Sequence, residues 1–409
     1  MLTALPMRFN LAWYFLVAIC ILPVTVIAGA DSSPASGSAE LPSGIFLFRP
    51  TSDSIPSTQI NDIINGLHGE VLIATPLGLA TFNDSWSVRH INRVNFSRGL
   101  LDNFVTSVAY DRDGNLWIGY AGGVQIYNSR DYTVIDDQQL LKSLQIRALQ
   151  RWDDDMWVAT GNAALSRYSD GSWTWFEPFS VGGPGFFEAD SLALDTATDT
   201  MFVATNHEGL WEVSKTERTV TFSEVADQND QYGLLDHVRR DPTGGVYFFN
   251  TTELVHYDPV GGFEPVIFSA DINQGVNTIN DVAGGTDGSI YVATDNGIYV
   301  WQNGTISHHF GVFQGFGTNS PNTKTVFIDA ENRLWFATPD TIGYYTGYVS
   351  SAPRIPVVMV TATPPPTPIP VTQNVTPSLT PTPVPENPSI LDQITRFVNG
   401  ILPFLHLSQ

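Results

Sequence analysis

Apolar residues along this 409-residue chain fall in short runs, and one such run returns seven times. The copies are Val71-Leu-Ile-Ala-Thr75, Leu116-Trp-Ile-Gly-Tyr120, Met156-Trp-Val-Ala-Thr160, Met201-Phe-Val-Ala-Thr205, Val246-Tyr-Phe-Phe-Asn250, Ile290-Tyr-Val-Ala-Thr294 and Leu334-Trp-Phe-Ala-Thr338. Their second residues are 45, 40, 45, 45, 44 and 44 positions apart. Each run is almost wholly apolar, as expected of a strand buried on both faces.

The second copy shows what surrounds the run. Val105-Thr-Ser-Val-Ala-Tyr110 reads as a strand, and Asp111-Arg-Asp-Gly-Asn115 as a tight turn. Asp and Asn bond their own backbone in such turns, and Gly accepts a positive φ. After the apolar run, Gly122-Gly123 turns the chain again, and residues 124–127 and 131–135 read as third and fourth strands. Four antiparallel strands repeated every 40–45 residues predict an all-β, seven-bladed propeller. The large rings at Trp117, Trp157, Phe202, Tyr247, Tyr291 and Trp335 recur at one place and are suited to fill the wedge between blades.

The seventh repeat ends near Tyr348 without a fourth strand, whereas Gly44-Ile-Phe-Leu-Phe48 is a strand-like run with no repeat of its own. The expectation is that this N-terminal strand completes the last blade and closes the ring, so that no edge is left open.

Val105-Thr-Ser-Val, Asp111-Arg-Asp-Gly-Asn-Leu-Trp-Ile-Gly and Gly123-Val-Gln-Ile-Tyr resemble the two-component regulator propeller repeat. Ile60-Asn-Asp-Ile-Ile, Leu72-Ile-Ala-Thr and Gly78-Leu follow the same pattern, and the lead-in Phe48-Arg-Pro with Ile55-Pro-Ser is similar too. The resemblance covers residues 44–348. It implies an extracellular, sensor-type propeller. No kinase and no second sensor domain follows the repeats, so recognition is what carries over. Gly-His and Trp-Asp pairs do not recur, which separates the chain from WD40 arrays.

The domain reading is a signal peptide or N-terminal anchor at 1–30, a linker at 31–43, the propeller at 44–350, a Thr/Pro-rich stalk at 351–388 and an amphipathic helix at 389–409. Arg8, the apolar run 11–27 and Ala28-Gly-Ala30 make the export signal, with an uncleaved anchor as the alternative. Cys20, the only cysteine, lies inside that run, so removal of the signal leaves no thiol chemistry. Five Asn-x-Ser/Thr sequons, at Asn83, Asn95, Asn250, Asn303 and Asn374, fit an exported protein. Residues 353–388 hold 12 of the 27 prolines and favour extended polyproline II over any packed core. Beyond them, Ser389-Ile-Leu-Asp392 offers a helix start, and Ile390, Ile394, Phe397, Ile401 and Leu405 recur at helical spacing, suited to lie on a membrane surface or dock on a partner. The expected localisation is extracellular or cell-envelope.

The balance of 19 Lys+Arg against 41 Asp+Glu, net −22, excludes a nucleic-acid partner. It also excludes broad binding of anionic sugars, while leaving room for a local basic pocket. Aligning the repeats gives an innermost-strand column of Asn61, Thr106, Arg147, Asp190, Asp236, Asn280 and Lys324. A second column holds Asp62, Ser107, Ala148, Ser191, His237, Asp281 and Thr325. Innermost strands line the central channel. Asn61, Asp62, Thr106, Arg147, Asp190, Asp236, His237, Asn280, Asp281 and Lys324 are therefore the candidate ligand-binding residues, against the plainer reading that they hydrate the channel.

The Asp that opens the first turn of the repeats, at 111, 195, 241, 287 and 329, reads as turn chemistry rather than a calcium loop. Asp153-Asp-Asp155 reads as a solvated turn. His308 and His309, adjacent on a strand, face opposite sides and do not pair as ligands. No cofactor, catalytic residue or metal site is assigned. The leading function is a binding propeller recognising a glycan, a peptide or an envelope protein. The alternative is a lyase of the kind that opens streptogramin antibiotics, for which His237 with Asp62 and Asp281 is the only channel trio that can be assembled.

Overall fold

The computed structural model describes residues 44–346, apart from 51–52, 92–97, 226–231, 233, 273–274 and 318. The expected signal segment, the linker at 31–43, the Thr/Pro-rich stretch and the expected C-terminal helix lie outside the described residues. Among those described, no helix is long and apolar enough to cross a membrane.

Seven four-stranded antiparallel sheets form the blades of the ring. Blades 1 to 6 occupy residues 62–89, 107–135, 146–176, 191–224, 237–268 and 279–310. In each of them the strands pair in chain order, inner to outer. Blade 7 takes three strands from residues 325–345 and its outer strand from the N-terminus. There, strand Ile45–Phe48 pairs antiparallel with Ile342–Tyr345 in the register Ile45 to Tyr345 and Phe48 to Ile342. The closure expected from the unpaired 44–48 run is therefore present.

The recurring apolar runs form the second strand of each blade, and Val71–Thr75, Leu116–Tyr120 and Ile290–Thr294 are buried at every position. Their side chains alternate between the two neighbouring interfaces, because strand residues point to opposite faces. The core accordingly divides into seven apolar clusters, one at each junction of consecutive blades. Trp117, Trp157, Phe202, Tyr247, Tyr291 and Trp335 are all buried in these wedges. The last junction joins Trp335 of blade 7 to Val71, Ile73 and Phe82 of blade 1, so packing as well as pairing closes the circle.

Turn chemistry matches the pattern read from the repeats. Asp111 Oδ1 accepts from the backbone N–H groups of Asp113 and Asn115, and its Oδ2 accepts from Asn115 Nδ2 and Trp117 Nε1. Asp329 repeats this with the N–H groups of Glu331 and Arg333 and with Trp335 Nε1. Gly123 and Gly297 sit in the second turn with φ of 120° and 101°, and a Cβ there would lie 2.4 Å from an outer-strand carbonyl oxygen. Only glycine fits that approach.

One local expectation needs correction. Asp153-Asp-Asp155 is not a wholly solvated turn. Asp155 begins strand Asp155–Thr160 and is buried, with Lys215 Nζ at 3.4 Å and Arg167 Nη1 at 3.8 Å. Two cations from neighbouring strands compensate its loss of water, and no sequence-local residue announces them.

Candidate functional site

The inner strands of all seven blades run in the same direction, so the aligned columns meet at one end of the channel. A cavity of about 590 Å³ occupies the channel. Its lining includes Asn61, Asp62, Thr106, Arg147, Asp190, His237, Asn280, Asp281 and Lys324. The structure therefore brings nine of the ten candidate residues to one cavity. Asp236 is the exception, as it does not border the cavity and instead bonds His237 Nδ1 at 2.7 Å. Burial opposes its ionisation, but His237 outweighs that and leaves its carboxyl below the ordinary range.

The second column stitches blades together. Asp62 Oδ2 accepts from Val108 N at 2.9 Å, and Ser107 Oγ from Leu149 N at 3.1 Å. Ser191 Oγ accepts from Val238 N at 3.0 Å, and Asp281 Oδ2 from Val326 N at 3.3 Å. In each case the oxygen of one blade takes the N–H of the residue just after the column position in the next blade. Among the described residues, Thr325 and His237 make no such bond. Downstream of them, Asp62 and Asp281 use Oδ1 on their own following N–H groups, those of Ile63 and Val282. Burial pushes the Asp62 carboxyl up, although Val108, Ser107 and Arg239 work against that shift.

The first column divides. Asn61 Nδ2 donates to Val105 O and Asn280 Nδ2 to Thr323 O, both at 2.7 Å and both across to the next blade. The Thr106 hydroxyl is buried with no partner. Arg147 Nε lies 3.7 Å from Asp190 Oδ1, and both side chains remain partly exposed. Burial raises the Asp190 carboxyl above its ordinary range, and Arg147 restrains the shift. Lys324 is exposed and, among the described residues, makes no ion pair.

Two charged lining residues lie outside the aligned columns, Arg239 and Arg240. Arg239 Nε holds Asp281 Oδ1 at 3.0 Å, and Arg240 Nη2 donates to Thr196 Oγ1 at 2.6 Å. The signal that would have found them is their place on the same inner strand, two and three residues past His237. The cavity thus carries Arg147, Arg239, Arg240 and Lys324 against Asp62, Asp190 and Asp281. In a chain of net charge −22, cations outnumber carboxylates here.

His237, Asp62 and Asp281 border the same cavity without making a metal-holding group. His237 stacks on Phe249 and bonds Asp236, while the two carboxylates are taken by Val108, Ser107, Arg239 and Val326. Among the described residues no cluster of His, Cys, Asp and Glu has the arrangement for a metal ion. His309 Nε2 bonds Asn296 O at 2.7 Å and its ring stacks on Tyr299, whereas His308 Nδ1 meets Ser307 Oγ.

Comparison with known proteins is consistent with this architecture. Residues 99–122 match the family model described as two component regulator propeller. No curated protein matches the sequence. Among solved structures, the extracellular domain of BT4673, a hybrid two component system from B. thetaiotaomicron, is similar at a TM-score of 0.58 and 18% identity. The similarity covers 74% of this chain but only 39% of that one. Streptogramin B lyase is similar at a TM-score of 0.55 and 12% identity, over 74% of this chain and 98% of that one. YCF48 bound to D1 peptide gives a TM-score of 0.54 and 13% identity, over 75% and 97%. At these identities the likeness is one of fold. Seven closed blades, the Asp-capped turns and the matched repeat together make this chain a seven-bladed β-propeller carrying the two component regulator propeller repeat.

Proposed function

We propose that the propeller is the recognition head of an exported, sensor-type protein, and that it binds a carboxylate-bearing peptide or protein segment at the column end of its channel. The observation that carries this is the convergence of unlike polar side chains from all seven blades on one cavity where cations outnumber acids. The stitching bonds divide that set. Asn61, Asp62, Asn280 and Asp281 hold the ring, and Arg147, Lys324, Arg240 and His237 keep groups available to a ligand.

The rim of the same end supports a peptide over a sugar. Loops from outer to inner strands, and hairpins between second and third strands, emerge there. They carry Leu77, Phe104, Leu140, Phe179, Val181, Phe187 and Leu234, seven of the ten exposed large hydrophobic residues described. More than half of the seven are aliphatic, which suits apolar peptide side chains better than stacking against sugar rings. A solved propeller of similar fold, YCF48, holds a peptide.

The test is thermal unfolding of the full chain against peptides with free and amidated C-termini and against neutral glycans. A rise for the free-carboxylate peptides, absent in the Arg147→Ala/Lys324→Ala double variant, is the expected result. A rise with glycans alone, or an undiminished rise in the double variant, overturns the reading.

A further inference from the structure

A second cavity, of about 620 Å³, lies away from the channel between the outer parts of blades 1 and 2. Blade 1 contributes Arg89, at the end of strand Ser85–Arg89, and the following His90. Arg98 comes from the connecting loop, and Tyr127, Arg130 and Tyr132 from the outer hairpin of blade 2. Three arginines and a histidine thus border one cleft, and Asp131 is the only acid among its described lining residues.

Such a grouping calls for an explanation in a chain with 41 acidic and 19 basic side chains. Five arginines elsewhere in the fold find carboxylates, Arg112 with Asp154, Arg147 with Asp190, Arg167 with Asp155, Arg239 with Asp281 and Arg333 with Asp329, whereas Arg49, Arg151, Arg218 and Arg240 are scattered without one among the described residues. Among the described residues, Arg89, Arg98 and Arg130 have no such partner. Arg89 shows the deficit most directly. Its Nη1 is buried with no hydrogen-bond acceptor, and its guanidinium lies over the Tyr127 ring at 4.9 Å. A buried donor left unpaired is costly, so a position that keeps one is a place where an external acceptor is favoured.

We propose that this inter-blade cleft is a binding site for a phosphate or sulfate ester, separate from the channel. One carboxylate is satisfied by a single bidentate arginine, whereas three guanidinium groups match the charge and the several acceptor oxygens of a tetrahedral oxyanion. Tyr127 and Tyr132 stack on each other at a centroid distance of 4.5 Å and wall the cleft with aromatic surface, against which the organic part of the ester packs.

Calorimetric titration of the full chain with inorganic phosphate, sulfate, acetate and phenyl phosphate, at constant ionic strength set with sodium chloride, tests the proposal. Saturable binding of phosphate and sulfate is expected, with phenyl phosphate tighter than inorganic phosphate, and any acetate binding is expected to be lost in Lys324→Ala and untouched by changes at the cleft arginines. Arg98→Gln and Arg130→Gln, both at exposed positions, each weaken binding about tenfold, as does Arg89→Gln, and Asp131→Asn strengthens it. Lys324→Ala in the channel leaves it unchanged, so this outcome and that of the channel reading are separable. Acetate binding that the arginine variants weaken as they weaken phosphate, phosphate affinity indifferent to all three arginines, or loss of phosphate binding in Lys324→Ala would each overturn the proposal.

Discussion

The Asp62 carboxylate of blade 1 accepts the backbone N–H of Val108 in blade 2 at 2.9 Å, across 46 residues of sequence. The same oxygen takes the Ser107 hydroxyl at 2.8 Å, and Ser107 in turn accepts from Leu149 of blade 3. Three blades are joined by one carboxylate and one hydroxyl. Asp62→Ala strands these donors near the channel wall, and the expected cost is about 1–3 kcal/mol, read as a lower urea midpoint. A midpoint equal to that of the unaltered chain would show that water replaces the stitch without loss.

Asp329 and Trp335 anchor the seventh blade in a similar way. The Asp329 side chain is fully buried, accepts from Trp335 Nε1 at 2.6 Å and pairs with Arg333. Asp329→Ala leaves the buried Trp335 indole N–H and the turn N–H groups without their acceptor, while Arg333 keeps Glu331, and is expected to cost about 1–3 kcal/mol in equilibrium unfolding. Asp113→Ala, at an exposed turn position, serves as the control and should unfold with the unaltered chain.

Closure of the ring depends on Gly343. It faces Leu47 in the antiparallel pair, and a Cβ there would fall 2.6 Å from Phe336 Cζ and 2.7 Å from Phe46 O. Gly343→Val forces the N-terminal strand outward and is expected to destabilise by about 1–3 kcal/mol. Hydrogen exchange should then be fastest at residues 45–48 and 342–345. Uniform exchange around the ring would contradict a closure role.

His256 gives stability a pH dependence. Its Nε2 lies 2.9 Å from Gly244 O and 3.3 Å from Asp241 Oδ2. Burial opposes its protonation, but the Asp241 carboxylate and the Gly244 carbonyl outweigh that and raise it above its ordinary 6.5. A raised folded-state value means that its contribution is complete below 6.5 and is lost as pH rises through the raised value. Asp241, lowered against the pull of burial by His256 and Thr243, acts at the other edge. Its contribution is present above 3.8 and is lost as pH falls through the lowered value. Urea unfolding from mildly acid to mildly alkaline pH should show stability declining in the unaltered chain and a flatter profile in His256→Phe. Parallel profiles would remove His256 as the cause.

Several of these relationships could be anticipated from the chain itself. The Asp111 and Asp329 turns are local, since donors and acceptor lie within six residues, and their Asp-x-x-Gly or Asp-x-x-Asn spelling reports them. The missing fourth strand of the seventh repeat pointed to residues 44–48 because a blade that lacks a strand must borrow one. The columns also met in one cavity, because equivalent positions of equivalent blades are equidistant from the axis. What each column residue does was hidden. Asp62 and Ser107 look like channel groups until the next blade places Val108 N and Leu149 N beside them. Arg239 and Arg240 escaped notice because only the first two inner-strand positions were aligned.

The sequence by itself determined the number of blades, the strand that closes the ring, the buried aromatic wedge and the capped turns. Each follows from short-range pattern repeated at a constant period, and hydrophobic burial and turn hydrogen bonds are satisfied within or next to the segment that encodes them. The tertiary structure alone decided which polar groups are consumed by the scaffold and which remain for a ligand. It also decided that Arg89, Arg98 and Arg130 gather in one cleft without carboxylates. Charge and hydrogen-bond partnership are settled between blades, over distances that the repeat spacing does not record, and a polar side chain carries no sign of whether its partner belongs to the next blade or to another molecule.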